Sequence, residues 1–190
     1  MMKCVVIAAA KEKTADTLRR ILSPLASGFR RSSGASGAER ILSEEQCGML
    51  VVNTPLTDEN GVEFALRTAQ RTDIPILLLV DTASYDEILY KTRGSGIFVL
   101  RRPVSSEMIV QAAQLLITAS EKAARYAAEA ARLRRRLDDL SAVNRAKLLL
   151  IEREKMTEEE AHHALERYAM DHSVGKKEAA QQVIRRYEQK

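Results

Sequence analysis

Ile76-Leu77-Leu78-Leu79-Val80 is an unbroken apolar run led in by Asp73-Ile74-Pro75. A run this short has the length of a strand, and being apolar at every position it suits a strand buried on both faces of a sheet. Working outward, runs of the same kind stand at Cys4–Ala9, Met49–Val52 and Ile97–Leu100, with a weaker candidate at Gly28–Arg31. Between them Thr14–Leu25, Ala38–Leu42, Val62–Arg71 and Tyr85–Arg93 show helical spacing. Strands alternating with helices imply right-handed crossovers and a parallel sheet covered on both sides. Asn60-Gly61 precedes one helix and Arg102-Pro103 closes the last strand. Five β/α repeats make residues 1–104 an α/β domain of flavodoxin-like size.

Composition sets the outer limits. The chain has 190 residues, 45% apolar and 29% charged, which is globular rather than disordered. No apolar run approaches the ~18 residues of a membrane span, and the opening Met-Met-Lys-Cys lacks the pattern of a signal peptide. A cytoplasmic location is therefore expected. Cys4 and Cys47, the only cysteines, cannot build a disulfide framework or a zinc site without several other ligands. Residues 1–100 carry equal numbers of acids and bases, so the whole net charge of +4 lies in the C-terminal half, where it favours an anionic partner.

The segment Val51-Val52-Asn53-Thr54-Pro55-Leu56-Thr57-Asp58-Glu59-Asn60-Gly61 resembles the strand and loop of response-regulator receiver domains, and Arg101-Arg102-Pro103 resembles their Lys-Pro after the fifth strand. The resemblance covers roughly residues 1–120 and implies a phosphorylation site, which the residues here do not supply. The acceptor aspartate is matched by Asn53, and the acidic pair that holds magnesium by Ala8, Ala9 and Ala10, whose methyls offer no oxygen ligand. Arg102 matches the lysine, a fork in place of a compact ammonium. The switch hydroxyl falls near Val80, with Thr82 two places late. The expectation is a degenerate receiver-like domain used for docking, without metal or cofactor, in which Asp58 and Asp81 are solvated loop acids, with a substitute phosphorylation carboxylate as the alternative.

From Ser105 no Gly or Pro occurs until Gly175. Ile109, Ala112, Leu116, Ala119, Ala123, Tyr126, Ala130, Leu133, Leu137, Leu140 and Asn144 repeat as a heptad seam. The pattern predicts a helix from Ser105 to about Glu152, roughly 70 Å long at 1.5 Å per residue, and a coiled-coil linker over residues 105–139. A second copy of the chain is the simplest cover for such a seam, so a homodimer is expected. Its alanine layers bury little area, and Leu133, Leu137 and Leu140 are expected to carry most of the association. Asn144 either fixes the register or faces solvent. Arg132, Arg134, Arg135 and Arg136 read as a solvated face, with phosphate contact as the alternative.

Thr157-Glu158-Glu159-Glu160 is a capping box at a helix start. Ala161, Ala164, Leu165, Tyr168 and Ala169 form that helix's apolar face, Gly175 is expected to break the chain, and Ala179, Ala180, Val183 and Ile184 face inward on a last helix. The strings Val143-Asn144-Arg145-Ala146-Lys147-Leu148-Leu149-Leu150, Met156-Thr157-Glu158-Glu159-Glu160-Ala161 and Leu165-Glu166-Arg167-Tyr168-Ala169-Met170-Asp171 resemble the ANTAR domain. The resemblance implies a three-helix module over residues 140–190 that binds RNA and promotes transcription antitermination. By position it assigns RNA contact to Arg145, Ala146, Lys147, Arg167 and Tyr168, and Lys176 and Lys177 add charge. Tyr168 reads either as a stacking face or as core. The family's glycine after the Ala-Lys pair is Leu148 here, which either obstructs RNA or packs inward. His162, His163 and His172 read as surface residues.

Taken together these features predict a non-enzymatic regulator that binds hairpin loops of nascent messenger RNA as a homodimer. Its control is expected to come from a sensor or sequestering protein on the receiver-like domain. Two alternatives are a response regulator phosphorylated on a non-standard acid and a protein-interaction adaptor without RNA binding.

Overall fold

The computed structural model describes residues 4–188, in two compact units that divide between Ala124 and Arg125. The first unit runs β1 (Val5–Ala9), α1 (Glu12–Leu22), β2 (Phe29–Ser32), α2 (Ala35–Glu44), β3 (Met49–Asn53), α3 (Val62–Arg71), β4 (Ile76–Asp81), α4 (Tyr85–Lys91) and β5 (Ile97–Arg102). It ends in the first turns of α5 (Ser106–Glu154). The five strands are all parallel in the order β2-β1-β3-β4-β5. This is the doubly wound flavodoxin-like arrangement expected from the alternating periods, and the weak candidate at Gly28–Arg31 is the edge strand β2.

Strand geometry divides the core by parity, because successive side chains point to opposite faces. Val6, Ala8, Leu50, Val52, Ile76, Leu78 and Val80 pack with Ala35, Ala38, Val62, Phe64, Ala65 and Ile88 from α2, α3 and α4. Val5, Ile7, Met49, Val51, Leu77 and Leu79 pack on the other face with Ala15, Leu18 and Leu22 of α1 and Ile109, Ala112 and Ala113 of α5. Gly61, at the N-terminus of α3, has φ +92°, and a Cβ there would lie 3.1 Å from Val52 Cγ1. Glycine thus lets the chain turn against the core where an L side chain would be strained.

The heptad reading needs correcting at its N-terminal end. Ile109 and Ala112 are buried in the sheet's core, and Leu116 packs partly against the same cluster. The sheet needs a fifth covering helix, and these first turns of α5 serve as one, so they are not free to meet a second chain. From Ala123 through Leu137 every seam residue is exposed, as are Leu140 and Asn144.

The second unit contains the rest of α5, α6 (Glu158–Asp171) and α7 (Lys176–Glu188). Its core is Ala146, Leu150, Ala161, Leu165, Ala180 and Val183, flanked by Ala142, Val143, Ile151, Met156, Ala164, Ile184 and Tyr187. Ala179 is buried as well. α6 opens as the sequence indicates: Thr157 Oγ1 accepts from the Glu160 N–H at 3.2 Å, and the Glu160 carboxylate accepts from the Thr157 N–H at 2.7 Å. The corners of the bundle are made differently from expectation. Gly175 lies in the break between α6 and α7, but the left-handed residues at the corners are Lys155 at φ 61° and Ser173 at φ 52°. Gly175 instead starts α7, its carbonyl accepting from the Ala179 N–H at 3.0 Å.

Candidate nucleic-acid interface

The sequence singles out two places, the end of β3 around Asn53 and the cationic C-terminal helices, and each unit holds one. In the first unit, Asn53 ends β3 and is buried, with Ala9 beside it in register on β1 and Leu79 on β4. Ala8 and Ala9 are buried methyls of the sheet's core, so the place where acids would gather is apolar. Arg102 reaches across and donates from Nη2 to the Thr54 carbonyl at 2.8 Å. Thr82 donates to the Arg102 carbonyl at 2.7 Å, which ties it to backbone.

The two acids that were candidate substitutes are both engaged. Asp58 accepts from the Ala35 and Ser36 N–H groups at 2.7 and 3.0 Å. It therefore caps α2 from a loop more than 20 residues away. Those bonds, Ser36's foremost, hold its carboxyl down at about 2. Asp81 accepts from the Ser84 N–H at 3.0 Å at the start of α4, which also lowers its pKa. These are capping carboxylates, each satisfying backbone donors that a helix start leaves open.

In the second unit the assigned RNA residues fall into three groups. Ala146 is fully buried in the bundle core; it cannot touch a ligand, and its small size serves helix packing. Three lysines are held in ion pairs: Lys147 Nζ to Glu158 Oε1 at 2.9 Å, Lys176 Nζ to Glu166 Oε1 at 2.7 Å and Lys177 Nζ to Asp139 Oδ1 at 2.6 Å. The Lys147 side chain is only 17% exposed. Arg145 and Arg167 are exposed. Tyr168 is half-buried and stacks on His172 with ring centroids 4.0 Å apart, so it is neither wholly core nor a fully open platform.

Sequence reading missed a cleft. Glu154, Lys155, Met156, Glu160, His163, Ala164 and Arg167 line a concavity of about 550 Å³ where the end of α5 meets α6. Lys155, His163 and Arg167 bring basic groups to it, and Met156 an apolar one. His162 and His163 are exposed and approach Glu166 at 3.2 and 3.5 Å. The cleft forms because Lys155 turns the chain in a left-handed conformation, which a sequence without glycine there does not announce. Leu148 is 57% exposed; it does not pack inward and stands on the surface beside Lys147.

The family model described as ANTAR domain matches residues 131–184. The second unit is an ANTAR domain. The chain is also similar to the transcriptional regulatory protein PdtaR of Mycobacterium tuberculosis, 26% identical over 137 residues, covering 72% of this chain and 66% of the relative. It thus spans just under two thirds of that protein's length. Among solved structures, the signal receiver domain of an HD domain-containing protein from Pseudomonas fluorescens aligns with a TM-score of 0.58 at 16% identity, covering 65% of this chain and 93% of that one. A CheY-like response regulator receiver domain from Methanospirillum hungatei gives 0.58 at 15% identity, covering 64% and 98%. At such identities the likeness concerns the fold: the first unit has a receiver-type α/β fold. Among its described residues no helix is long and apolar enough to cross a membrane.

Proposed function

We propose that this ANTAR protein is an RNA-binding transcription antitermination regulator, organised as a receiver-like head over residues 1–104, a coiled-coil linker over 105–139 and an RNA-binding module over 140–190. In this reading it acts as a homodimer, makes and breaks no bond, and is controlled by a partner protein on the head. The observation that carries it is the ANTAR match over residues 131–184, on a unit whose surface bears Arg145, Lys147, Arg167, Lys176 and Lys177. RNA affinity arises largely where such cations meet phosphates, and sequence is read on unpaired loop bases. The relative's name, a transcriptional regulatory protein, agrees with this.

The ion pairs shape the expectation. Exposed pairs are worth roughly 0–1 kcal/mol, so a phosphate readily replaces Glu166 or Asp139 as the partner of Lys176 or Lys177. Lys147 is more enclosed and acts chiefly by holding Glu158 and α6 in place. Asn53, Ala8 and Ala9 and the capping roles of Asp58 and Asp81 support control by a partner in place of phosphoryl transfer. Two bundles on one dimer would let a transcript with neighbouring hairpins gain from effective concentration.

Gel-shift titration with an RNA carrying two adjacent hairpins tests the reading. The wild-type chain should bind with an affinity that falls steeply with salt, and Arg167→Ala should weaken binding about tenfold or more, the scale of one charge-assisted contact. Binding that is absent, or unmoved by salt and by this variant, would favour an adaptor without RNA affinity. Incubation with a small phosphodonor and magnesium should add no phosphate to the intact mass. A phosphate lost in Asp58→Asn would establish the phosphorylation alternative.

A further inference from the structure

The two cysteines are 43 residues apart in sequence and meet in the fold. Cys4 immediately precedes β1, and Cys47 lies two residues before β3, the neighbouring parallel strand. Parallel pairing brings the starts of both strands to the same edge of the sheet. The Gly48 N–H donates to the Cys4 carbonyl at 2.9 Å, and the next pair in register is Val5 with Met49. This places Cys47 Sγ 3.9 Å from Cys4 Sγ, both thiols being free. Cys4 is buried and Cys47 half-buried, so one residue of the pair is partly open to solvent.

We propose that Cys4 and Cys47 are a redox modification site, closing reversibly into an intramolecular disulfide at the foot of β1 and β3. Cys47 stands one place before Gly48, which lies opposite Cys4; one strand spacing of about 4.8 Å and one residue step of about 3.3 Å give a diagonal of roughly 6 Å, within the Cα separations of about 4.4–6.8 Å that a disulfide spans. Side-chain rotation therefore suffices to bring the sulfurs to bonding distance, with the strand pairing kept. A peroxide supplies the oxidant. One thiolate attacks it and becomes a sulfenic acid as the second peroxide oxygen leaves as water. The other thiol then attacks that sulfur and expels a second water. Two thiols and one peroxide thus give one disulfide and two waters, and a dithiol reductant reverses the change by becoming oxidised itself.

The surroundings set the rate. Burial, with the adjacent Cys4, pushes the Cys47 thiol up to about 12; Glu45 acts in the same direction and Arg30 opposes it. Arg30 and Glu45 are themselves paired at 2.6 Å, so their effects partly offset. A thiol held protonated near neutrality reacts slowly, and its thiolate fraction rises about tenfold per pH unit below its pKa. The site therefore responds to sustained oxidation rather than to brief exposure, and faster in alkali. The bridge would close a loop containing β1, α1, β2 and α2, tying the edge strand's whole connection to the sheet's interior. Constraint of the unfolded chain by a loop of this size stabilises the folded unit.

The test uses the reduced full chain exposed to hydrogen peroxide at pH 8.5. Intact mass should fall by about 2 Da, the loss of two hydrogens in forming one disulfide. Both sulfurs should become inaccessible to alkylation under denaturing conditions, and non-reducing electrophoresis should show one chain. Dithiothreitol should restore both thiols. The head's thermal midpoint should rise by roughly 5 °C or more on oxidation and return on reduction. Cys47→Ser, altering the half-buried partner, should show neither the mass loss nor the shift; Cys47→Ala gives the same reading if serine's hydroxyl disturbs the fold. Two thiols still open to alkylation after prolonged peroxide would overturn the proposal, as would oxygen adducts without a bridge or links formed only between chains. RNA binding enters none of these readouts, so the result stands apart from the antitermination reading.

Discussion

Ile109 and Leu137 occupy equivalent positions of one heptad repeat on one helix, yet Ile109 is 4% exposed and Leu137 is 67% exposed. The difference lies in what each meets. The turn around Ile109 closes one face of the β-sheet, together with α1, whereas Ala123, Ala130, Leu133 and Leu137 are exposed. Periodicity marks which face of a helix is apolar; it does not say what covers that face. The N-terminal turns complete an α/β core, and the middle turns leave an apolar stripe exposed.

The largest contrast should come from truncating the covered side chain. Ile109→Ala is expected to destabilise the first unit by about 2–5 kcal/mol, the range for deleting a buried aliphatic side chain, measured by urea unfolding. A loss below about 0.5 kcal/mol would mean that the first turns of α5 are not part of the core.

Next in size are the helix caps, local in one unit and long-range in the other. Thr157→Ala removes the capping box of α6 and should cost about 1 kcal/mol, read as a lower midpoint for the second unit while the first is unchanged. Asp58→Asn weakens a cap supplied across the fold to α2. Its folded carboxyl sits at about 2, below the ordinary 3.8. The stability it contributes is thus present above about pH 4 and lost as pH falls toward 2. Denaturant midpoints taken at pH 5 and at pH 2.5 should differ less in the variant than in the parent chain. An unchanged difference would show that the α2 cap contributes nothing.

The smallest effect on the fold should come from Leu137→Ala, within about 0.5 kcal/mol for the isolated chain because the side chain is already in water. Its consequence should appear in association, as a shift toward monomer in sedimentation equilibrium. A stable dimer that ignores Leu137→Ala and Leu133→Ala alike would place the subunit contact elsewhere.

The strands of the head were legible because the runs at β1, β3 and β4 are apolar at consecutive positions, and buried parallel strands are nearly the only short elements written that way. β2 was weak in sequence for a physical reason: as the edge strand it carries Arg30 and Arg31 outward, paired with Glu45 and Glu12. The capping box of α6 was readable because both partners lie within one turn. Asp58 was not, because the helix it caps begins more than 20 residues earlier. Matching by position also misled at Ala146, where a residue between two cations on a helix lies a quarter-turn around, inside the bundle. The lysine pairings with Glu158, Glu166 and Asp139 depend on how helices dock, which spacing alone does not encode.

The corner at Lys155 has a further consequence. An L residue in the left-handed region gives up about 1 kcal/mol relative to glycine, which adopts it freely. A glycine at this bend would make the bundle sturdier and leave one wall of its concavity without a positive charge. Protein engineers seeking a more heat-resistant ANTAR unit would change this residue first, and would lose with it a basic group at the cleft that joins α5 to α6.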